Sequence, residues 1–276
     1  MKVNDAHYHF GFNGFLGSIG RGRLIVKNSY NSLKKDWDKY DIQNAVLFSM
    51  PEPSGYSRYF SELVLALSGY YLYKKLLFST PIDDSLLANN DYSGINDTIS
   101  KLNDARIEFV PFVNSKFEIS DIERFDNIKG VKFYEPHGAI PDSLLDYLNE
   151  NELNMVLHLS EENDKNPDKF LEIVENNDEI TFQAAHCANG IPKIIDALDE
   201  YSNLFVDTSA CTHPYYKYYK NIPLEDITKE HTDKVLFGSD EPWTRYAEQI
   251  QQIECLDLSR TDVNKILNQN YFRVWG

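Results

Sequence analysis

Apolar residues recur along the chain in short runs that are rich in β-branched and aromatic side chains. Eight such runs predict strands, and they cover residues 2–8, 45–50, 108–114, 130–135, 154–160, 181–187, 203–209 and 234–240. Most of the runs are continuously apolar rather than alternating, which is typical of strands buried on both faces of a parallel sheet. The pattern therefore favours a sheet that is covered by helices.

Between the predicted strands, apolar residues are spaced three and four positions apart, as on the buried face of a helix. Helices are predicted over 32–42, 94–105, 142–153, 167–177 and 191–201, and a final helix over 259–275. Strands and helices that alternate in this way in a chain of 276 residues predict an α/β fold. We expect a single (β/α)8 TIM-barrel domain that spans residues 1–276.

Two segments depart from the repeat of strand and helix. A Gly-rich loop at 10–31 follows the first predicted strand, and an extra helical segment at 51–91, rich in tyrosine, is inserted after the second. In a TIM barrel, the loops after the strands lie at the carboxyl end, above the site. We expect the inserted segment to be a lid or the surface of a homodimer.

The composition narrows the classes of partner. The formal net charge is -16 at pH 7, and such a charge repels nucleic-acid phosphates and anionic lipids, so we expect a small-molecule substrate instead. The three cysteines show no disulfide pattern and favour a reducing, cytoplasmic compartment. The most apolar segment, 63–78, contains two lysines and is too short to span a bilayer.

Five side chains that can bind a metal fall at the carboxyl ends of four predicted strands. They are His7 and His9 on the first strand, His158 on the fifth, His186 on the sixth and Asp240 on the eighth. Barrel enzymes carry their chemistry at this end of the fold. Imidazoles with a carboxylate suit a zinc-like ion, whereas calcium and magnesium prefer oxygen ligands alone.

The motifs around these residues resemble the amidohydrolase superfamily, and most closely its amidohydrolase-2 branch. The runs that carry the resemblance are DAHYHF, VLHLS, AAHC and KVLFGSDEPW, together with the closing run KILNQNYFRVWG. The resemblance covers nearly the whole chain, although the stretch from about 51 to 106 is not specific. It implies a metal-dependent hydrolase in which a metal-activated water attacks a C–N or C–O bond of an amide, lactone or ester.

The resemblance also implies a role for each matching residue. His7, His9, His158 and Asp240 would be the ligands of one divalent metal, for which zinc is expected ahead of manganese or iron. His186 would polarise the substrate or assist proton transfer, and Asp240 would also act as the general base. Both residues are therefore candidate catalytic residues.

Four further residues are candidates for contact with the substrate: Lys132, Glu135, His137 and Trp243, which lie on or after the fourth and eighth predicted strands. Two-metal relatives carry a carboxylated lysine where Lys132 lies, but this lysine commonly stays unmodified in the amidohydrolase-2 branch, so one metal is expected. The alternative for Lys132 is a buried amine that pairs with Glu135 or Asp207.

The same motifs leave other functions open. A non-oxidative decarboxylase of an aromatic or unsaturated carboxylic acid would use the same metal site. A metal-dependent nuclease is a further alternative, which the net charge of -16 disfavours. A barrel that binds a ligand without turnover is the non-enzymatic alternative.

Overall fold

A computed structural model describes residues 1–10, 30–49, 93–135, 138–211, 222–241 and 244–276. Within these ranges the strands are β1 (Val3–Phe10), β2 (Ile42–Ser49), β3 (Ile107–Phe109), β4 (Phe112–Val113), β5 (Gly130–Tyr134), β6 (Asn154–His158), β7 (Phe182–Ala184), β8 (Leu204–Asp207) and β9 (Val235–Leu236). Each of the eight predicted strands is confirmed. The predicted insertion at 51–91 lies outside the described residues, as does most of the loop at 10–31.

All strand pairs are parallel and follow the order of the chain. One sheet contains β1, β2 and β3, and the other contains β4 to β9. β3 pairs with β2 whereas β4 pairs with β5, so these two short segments together form the third strand of a single barrel. Pro111 lies between them and has no N–H to donate to a neighbouring strand. The predicted strand at 108–114 is therefore interrupted.

Backbone hydrogen bonds between the first and last strands close the cylinder. The Ala6 N–H donates to the carbonyl of Phe237 at 2.8 Å, and the His9 N–H donates to the carbonyl of Glu241 at 2.9 Å. These bonds join β1 to the segment that follows β9. The strands thus form the TIM barrel that the hydrophobic pattern predicts.

Helices surround the barrel. They are α1 (Tyr30–Tyr40), α2 (Ser93–Ser100), α3 (Ser120–Glu123), α4 (Asp142–Glu150), α5 (Glu161–Lys165), α6 (Pro167–Asn176), α7 (Pro192–Asp196), α8 (Leu224–Glu230), α9 (Tyr246–Glu254), α10 (Arg260–Asn264) and α11 (Tyr271–Val274). A 3₁₀ turn covers Thr232–Lys234 and a π-helical turn covers Lys265–Gln269. In the part of the chain that the structure describes, no helix is long and apolar enough to cross a membrane.

The predicted final helix at 259–275 is divided by the π-helical turn between α10 and α11. The Asn270 side chain donates to the carbonyls of Thr232 at 2.7 Å and Val235 at 2.8 Å. The Phe237 N–H donates to a carbonyl within the turn. These contacts tie the end of the chain to β9, and the regular helix is interrupted where they form.

Two apolar clusters divide the side chains of the strands. On β2, Ala45 and Leu47 belong to the cluster between the strands and the helices, whereas Val46 and Phe48 belong to the smaller inner cluster. This alternation is the one expected of a barrel, where successive residues face inward and outward. The inner cluster contains Ala6, Val46, Phe48, Val110, Phe112, Val156, Phe205, Leu236, Tyr271, Val274 and Trp275.

The carboxyl-terminal segment covers the amino end of the barrel. Trp275 packs in the inner cluster, and its indole N–H donates to Oε1 of Gln183 at 2.9 Å. Asn154, the first residue of β6, donates from its side chain to the carbonyl of Val274 at 2.6 Å. One end of the barrel is thereby filled with side chains, and the predicted site residues lie at the other end.

Candidate metal centre

A β-bulge in β1 shapes the first part of the site. The pairing of β1 with β2 shifts register between Asp5 and Tyr8. As a result, two consecutive side chains reach the inner side: Ala6 packs in the inner cluster, and the His7 ring lies 4.8 Å from the Phe48 ring between centroids. Bulges of this kind often re-aim side chains beside active sites.

The donor atoms of three predicted ligands converge. Nε2 of His7 lies 3.3 Å from Nε2 of His9, and the two nitrogens lie 3.4 and 3.5 Å from Oδ1 of Asp240. All three residues are buried. Among the described residues, they form a group of possible metal ligands whose donor atoms all lie within 4.8 Å of one another. Donors at tetrahedral angles around zinc, with bonds of about 2.1 Å, are ~3.4 Å apart. The three separations therefore fit one divalent metal.

The second nitrogen of each imidazole faces an acceptor. Nδ1 of His7 lies 2.9 Å from Oδ2 of Asp207, and Nδ1 of His9 lies 3.3 Å from the carbonyl of Ser49. A carboxylate and a carbonyl can only accept, so Nδ1 of each ring carries the proton and Nε2 offers a lone pair. Burial lowers the pKa of His9 to about 3, which keeps its ring neutral. Acceptor atoms thus face one another, an arrangement that a cation stabilises.

Asp207, the last residue of β8, holds the imidazoles in place. Its fully buried carboxylate accepts from Nδ1 of His7, from the Gln183 side chain at 2.6 Å, and from the N–H groups of His186 and Ser209 at 3.1 and 3.0 Å. Burial alone would raise the pKa of Asp207, but the electrostatic attraction of the His7 ring and the hydrogen bond from its Nδ1–H hold this pKa well below its usual range. The ionised carboxylate thus orients His7, one of the predicted metal ligands.

Ser209 contacts three residues of the candidate site, although the sequence did not point to it. Its Oγ donates to Oδ1 of Asp207 and lies 3.2 Å from Nδ1 of His7 and 2.9 Å from Nδ1 of His186. Ser209 therefore links His7 on β1 to His186, which follows β7. Ser209 and His7 are 202 positions apart, and no local motif marks the contact.

His186 lies in a left-handed turn that follows β7, at Ala185–Ala188. Residues 186–190 all have positive φ. A non-glycine residue pays roughly 1–2 kcal/mol for this conformation, and such strain concentrates at functional sites. The turn is held by the bond from His186 N–H to Asp207 and by the Asn189 side chain, which donates to the carbonyl of Leu159 at 2.9 Å. β7 therefore ends earlier than the sequence predicts.

His158 lies beside His186 and outside the group of three donors. Its Nδ1 is 3.0 Å from Nε2 of His186, whose own Nδ1 is 2.9 Å from the carbonyl of Ser209. His186 therefore carries its proton on Nδ1 and accepts from His158, which leaves Nε2 of His158 with a lone pair. Burial lowers the pKa of His186 to about 4 and that of His158 well below its usual value. A fourth metal ligand at His158 stays a prediction.

Asp240 is positioned by the seam between the first and last strands. Its N–H donates to the carbonyl of His7 at 2.9 Å. Ser239, beside it, donates from N–H and Oγ to the carboxylate of Asp5 at 2.9 and 2.6 Å, and Tyr246 donates to the same carboxylate at 2.7 Å. Burial raises the pKa of Asp5 to about 7. This buried network fixes the segment that presents Asp240.

Gly238, in the Gly-Ser-Asp run, is required by a close approach of the backbone to the site. A Cβ at this position would lie 2.8 Å from Cβ of His7 and 3.1 Å from Cβ of Ser209. A larger residue would therefore push His7 out of place.

The predicted substrate residues have different surroundings. The Lys132 ammonium is buried 5.0 Å from the centroid of the Phe48 ring and has no hydrogen-bond partner among the described residues. Its predicted alternative role, an amine paired with Glu135 or Asp207, is not seen there. His137 and Trp243 lie outside the described residues.

Glu135 bridges two loops at the carboxyl end. Its carboxylate accepts from the N–H of Ser160 at 3.1 Å and from the side chain of Asn163 at 3.4 Å. Burial raises the pKa of Glu135. These bonds join the end of β5 to the start of α5, so a structural contribution is visible and its contact with substrate stays a prediction.

Comparison with protein families gives one match. The family described as amidohydrolase matches residues 121–276, which is more than half of the chain. No curated protein sequence gives a significant match.

Solved structures resemble the chain over its full length. An uncharacterized TIM-barrel protein from Bordetella bronchiseptica is 12% identical with a TM-score of 0.68, covering 99% of this chain and 98% of that one. A probable 2-pyrone-4,6-dicarboxylic acid hydrolase from Acinetobacter baumannii is 15% identical with a TM-score of 0.61, covering 99% of each chain. A dihydroxybenzoic acid decarboxylase from Polaromonas sp. JS666, with bound manganese and 2-nitroresorcinol, is 13% identical with a TM-score of 0.60, covering 99% and 96%. These likenesses show the fold.

Proposed function

This chain belongs to the amidohydrolase family, and we propose that it is a metal-dependent hydrolase of a small-molecule C–N or C–O bond. The bond would be that of an amide, lactone or ester. The observation that supports this proposal is the convergence of His7, His9 and Asp240, whose donor atoms lie 3.3 to 3.5 Å apart in a buried site.

Nε2 of His7, Nε2 of His9 and Oδ1 of Asp240 would hold one divalent metal, with His158 as the proposed fourth ligand. Two imidazoles and a carboxylate suit zinc, manganese or iron, and we propose zinc first. The manganese bound in the Polaromonas decarboxylase supports manganese as the alternative to zinc. When bound, the metal would polarise a carbonyl oxygen of the substrate and make water more acidic.

Asp240 is the proposed general base. Oδ1 lies among the imidazole nitrogens, so Oδ2 would take the proton of the attacking water and pass it to the leaving group. His186 would assist, because its Nε2 shares a proton with Nδ1 of His158 at 3.0 Å. Asp207 keeps its charge and so stabilises the neutral His7 in the tautomer that binds through Nε2.

The walls of the site would exclude water and suit a flat substrate. The Phe48 ring lies 4.6 Å from the His9 ring, and the Tyr134 ring lies 4.4 Å from the His158 ring, between centroids. Charged groups interact more strongly in such surroundings than in bulk water.

The second candidate is a non-oxidative decarboxylase that acts on an aromatic or unsaturated acid. The aromatic walls of Phe48 and Tyr134 favour it, because an unsaturated ring would stack there. In this reaction the C–C bond to the carboxylate breaks, the electron pair stays on carbon, and protonated Asp240 delivers a proton to that carbon. Carbon dioxide leaves, and the same donor set would serve.

A substrate panel separates the two candidates. The full chain would be reconstituted with zinc, manganese or iron and tested with lactones, amides, esters and aromatic acids, with ring opening and carbon dioxide release measured in parallel. We expect hydrolysis, and a loss of at least ~100-fold in Asp240→Asn because the base is removed. Carbon dioxide release without hydrolysis would assign decarboxylation. Unchanged turnover in Asp240→Asn or without metal would contradict both candidates.

A further inference from the structure

Two buried lysines in this molecule have similar surroundings but different hydrogen bonding. Lys132 on β5 holds its ammonium 5.0 Å from the centroid of the Phe48 ring, and Lys234 holds its own 4.6 Å from that of Phe205. Nζ of Lys234 also donates to the carbonyl of Tyr201 at 2.7 Å. Nζ of Lys132, in contrast, has no hydrogen-bond acceptor in the part of the chain that the structure describes.

Lys132 faces the inside of the barrel beside the metal donors. Its register partner on β6 is Val156, which belongs to the inner cluster. The Phe48 ring that receives its ammonium also contacts the rings of His7 and His9, at centroid distances of 4.8 and 4.6 Å. The ammonium and the metal donors therefore share one aromatic wall.

The carboxylates of the site do not satisfy this ammonium. Asp207 and Asp240 favour its charge, but neither is hydrogen-bonded to it. Asp207 is already occupied by His7 and Gln183, and Oδ1 of Asp240 lies at the imidazole nitrogens. A buried ammonium without an acceptor costs free energy that an external anion would recover.

We infer that Lys132 binds an anionic oxygen of the substrate, and that the substrate is a small organic anion, a carboxylate or an enolate. The anionic oxygen would lie at Lys132 while the reacting bond lies at His7, His9 and Asp240. Tyr134 follows two residues later on the same face of β5 and would contact the body of the substrate. This inference rests on the proposed function, because it places the reacting bond at the same donors.

The test measures anion binding by calorimetry with the full chain reconstituted with zinc. The probes are formate, acetate and benzoate, with neutral benzamide as the uncharged match of benzoate. We expect wild type to bind at least one anion, and Lys132→Met to bind it about tenfold or more weakly, since a hydrogen bond to a charged group is lost. Lys234→Met should bind as wild type does, and benzamide should not distinguish the variants.

The outcomes separate this inference from the proposed function, because metal content is measured on the same samples. Equal anion binding by wild type and Lys132→Met overturns the inference, as does failure of every anion to bind wild type. So does a mass increase of one carbon dioxide on Lys132, since the nitrogen would then be occupied. If Lys132→Met does not fold, Lys132→Gln replaces it. Absence of bound metal contradicts the proposed function, whichever result the anions give.

Discussion

The two ends of the barrel use polar groups in opposite ways. At the amino end, polar side chains are paired with backbone carbonyls: Asn154 with Val274 at 2.6 Å, and Lys234 with Tyr201 at 2.7 Å. At the carboxyl end, acceptors face acceptors, and the buried ammonium of Lys132 lacks a partner among the described residues.

This difference suggests that the amino end mainly stabilises the fold, whereas the carboxyl end carries the candidate site. The amino end is closed by apolar packing and satisfied hydrogen bonds, which is what a fold needs. The carboxyl end holds groups that the proposed cation and substrate would satisfy, and it carries left-handed backbone at His186 and Asp240. Substitutions at the amino end should therefore change stability alone, whereas substitutions at the carboxyl end should also change the binding of metal or anion.

The largest effect is expected at the amino end. Trp275→Ala removes a buried indole from the inner cluster together with its bond to Gln183, and should lower the free energy of unfolding by ~3–5 kcal/mol. Metal affinity of the folded protein should stay unchanged. Denaturant unfolding and metal titration check both. Phe272→Ala, at an exposed position of α11 three residues before Trp275, is the matched control and should change stability by less than ~0.5 kcal/mol.

Two Asp–His pairs with the same O–N distance, one in the site and one at the surface, sharpen the comparison. Asp207 and Asp199 each lie 2.9 Å from Nδ1 of a histidine, His7 and His231, but Asp199 is at the surface. Asp207→Asn should weaken metal binding by ~10–100-fold, because the group that orients His7 loses its charge. Asp199→Asn should leave metal binding as it is. Equal metal affinity in the two variants would contradict the role given to Asp207.

Much of this architecture could be predicted from the sequence, because it depends on local patterns. Continuous apolar runs indicated the eight strands, and His7 and His9 follow from the period of a strand. The ends of those strands also pointed to His158, His186 and Asp240 as candidates, because the topology of a barrel brings carboxyl ends together.

The rest depends on contacts between residues that are distant in sequence. The bond of Ser209 to His7 and that of Gln183 to Trp275 form only when the barrel closes. The bulge in β1 comes from pairing with β2, and the left-handed turn at 186–190 contains ordinary L-residues before its glycine. Neither has a signature that a single sequence reveals.

A smaller effect is expected where the backbone approaches the site. Gly238→Ala should lower the free energy of unfolding by ~1–3 kcal/mol, because the new Cβ would lie 2.8 Å from Cβ of His7. Metal binding should weaken as well, since His7 must move. Thermal unfolding with and without zinc measures both effects. A variant that binds metal as tightly as wild type would contradict the close approach.

The smallest effect is a gain of stability. Lys132→Met should raise the free energy of unfolding of the metal-free chain by ~1–2 kcal/mol at neutral pH, because an unpartnered buried ammonium is removed. Burial lowers the pKa of Lys132 from 10.5 to about 8, so the folded state loses this proton before the unfolded state does. The penalty in wild type is complete below pH 8 and fades as pH rises toward 10.5.

Denaturant unfolding at several pH values checks this prediction, with Lys234→Met as the control. Lys234 donates to two carbonyls, so its removal should destabilise the chain. The advantage of Lys132→Met over wild type should shrink as the pH is raised. A loss of stability in Lys132→Met at neutral pH would show that the ammonium is satisfied.

The most direct test of the metal centre is anomalous diffraction from crystals of the full chain grown with zinc, measured on both sides of the metal absorption edge. The account predicts one strong peak at bonding distance, about 2.1 Å, from Nε2 of His7, Nε2 of His9 and Oδ1 of Asp240. A zinc peak at another position only, or no peak beside these three atoms when zinc is present in excess, would contradict the proposed metal centre.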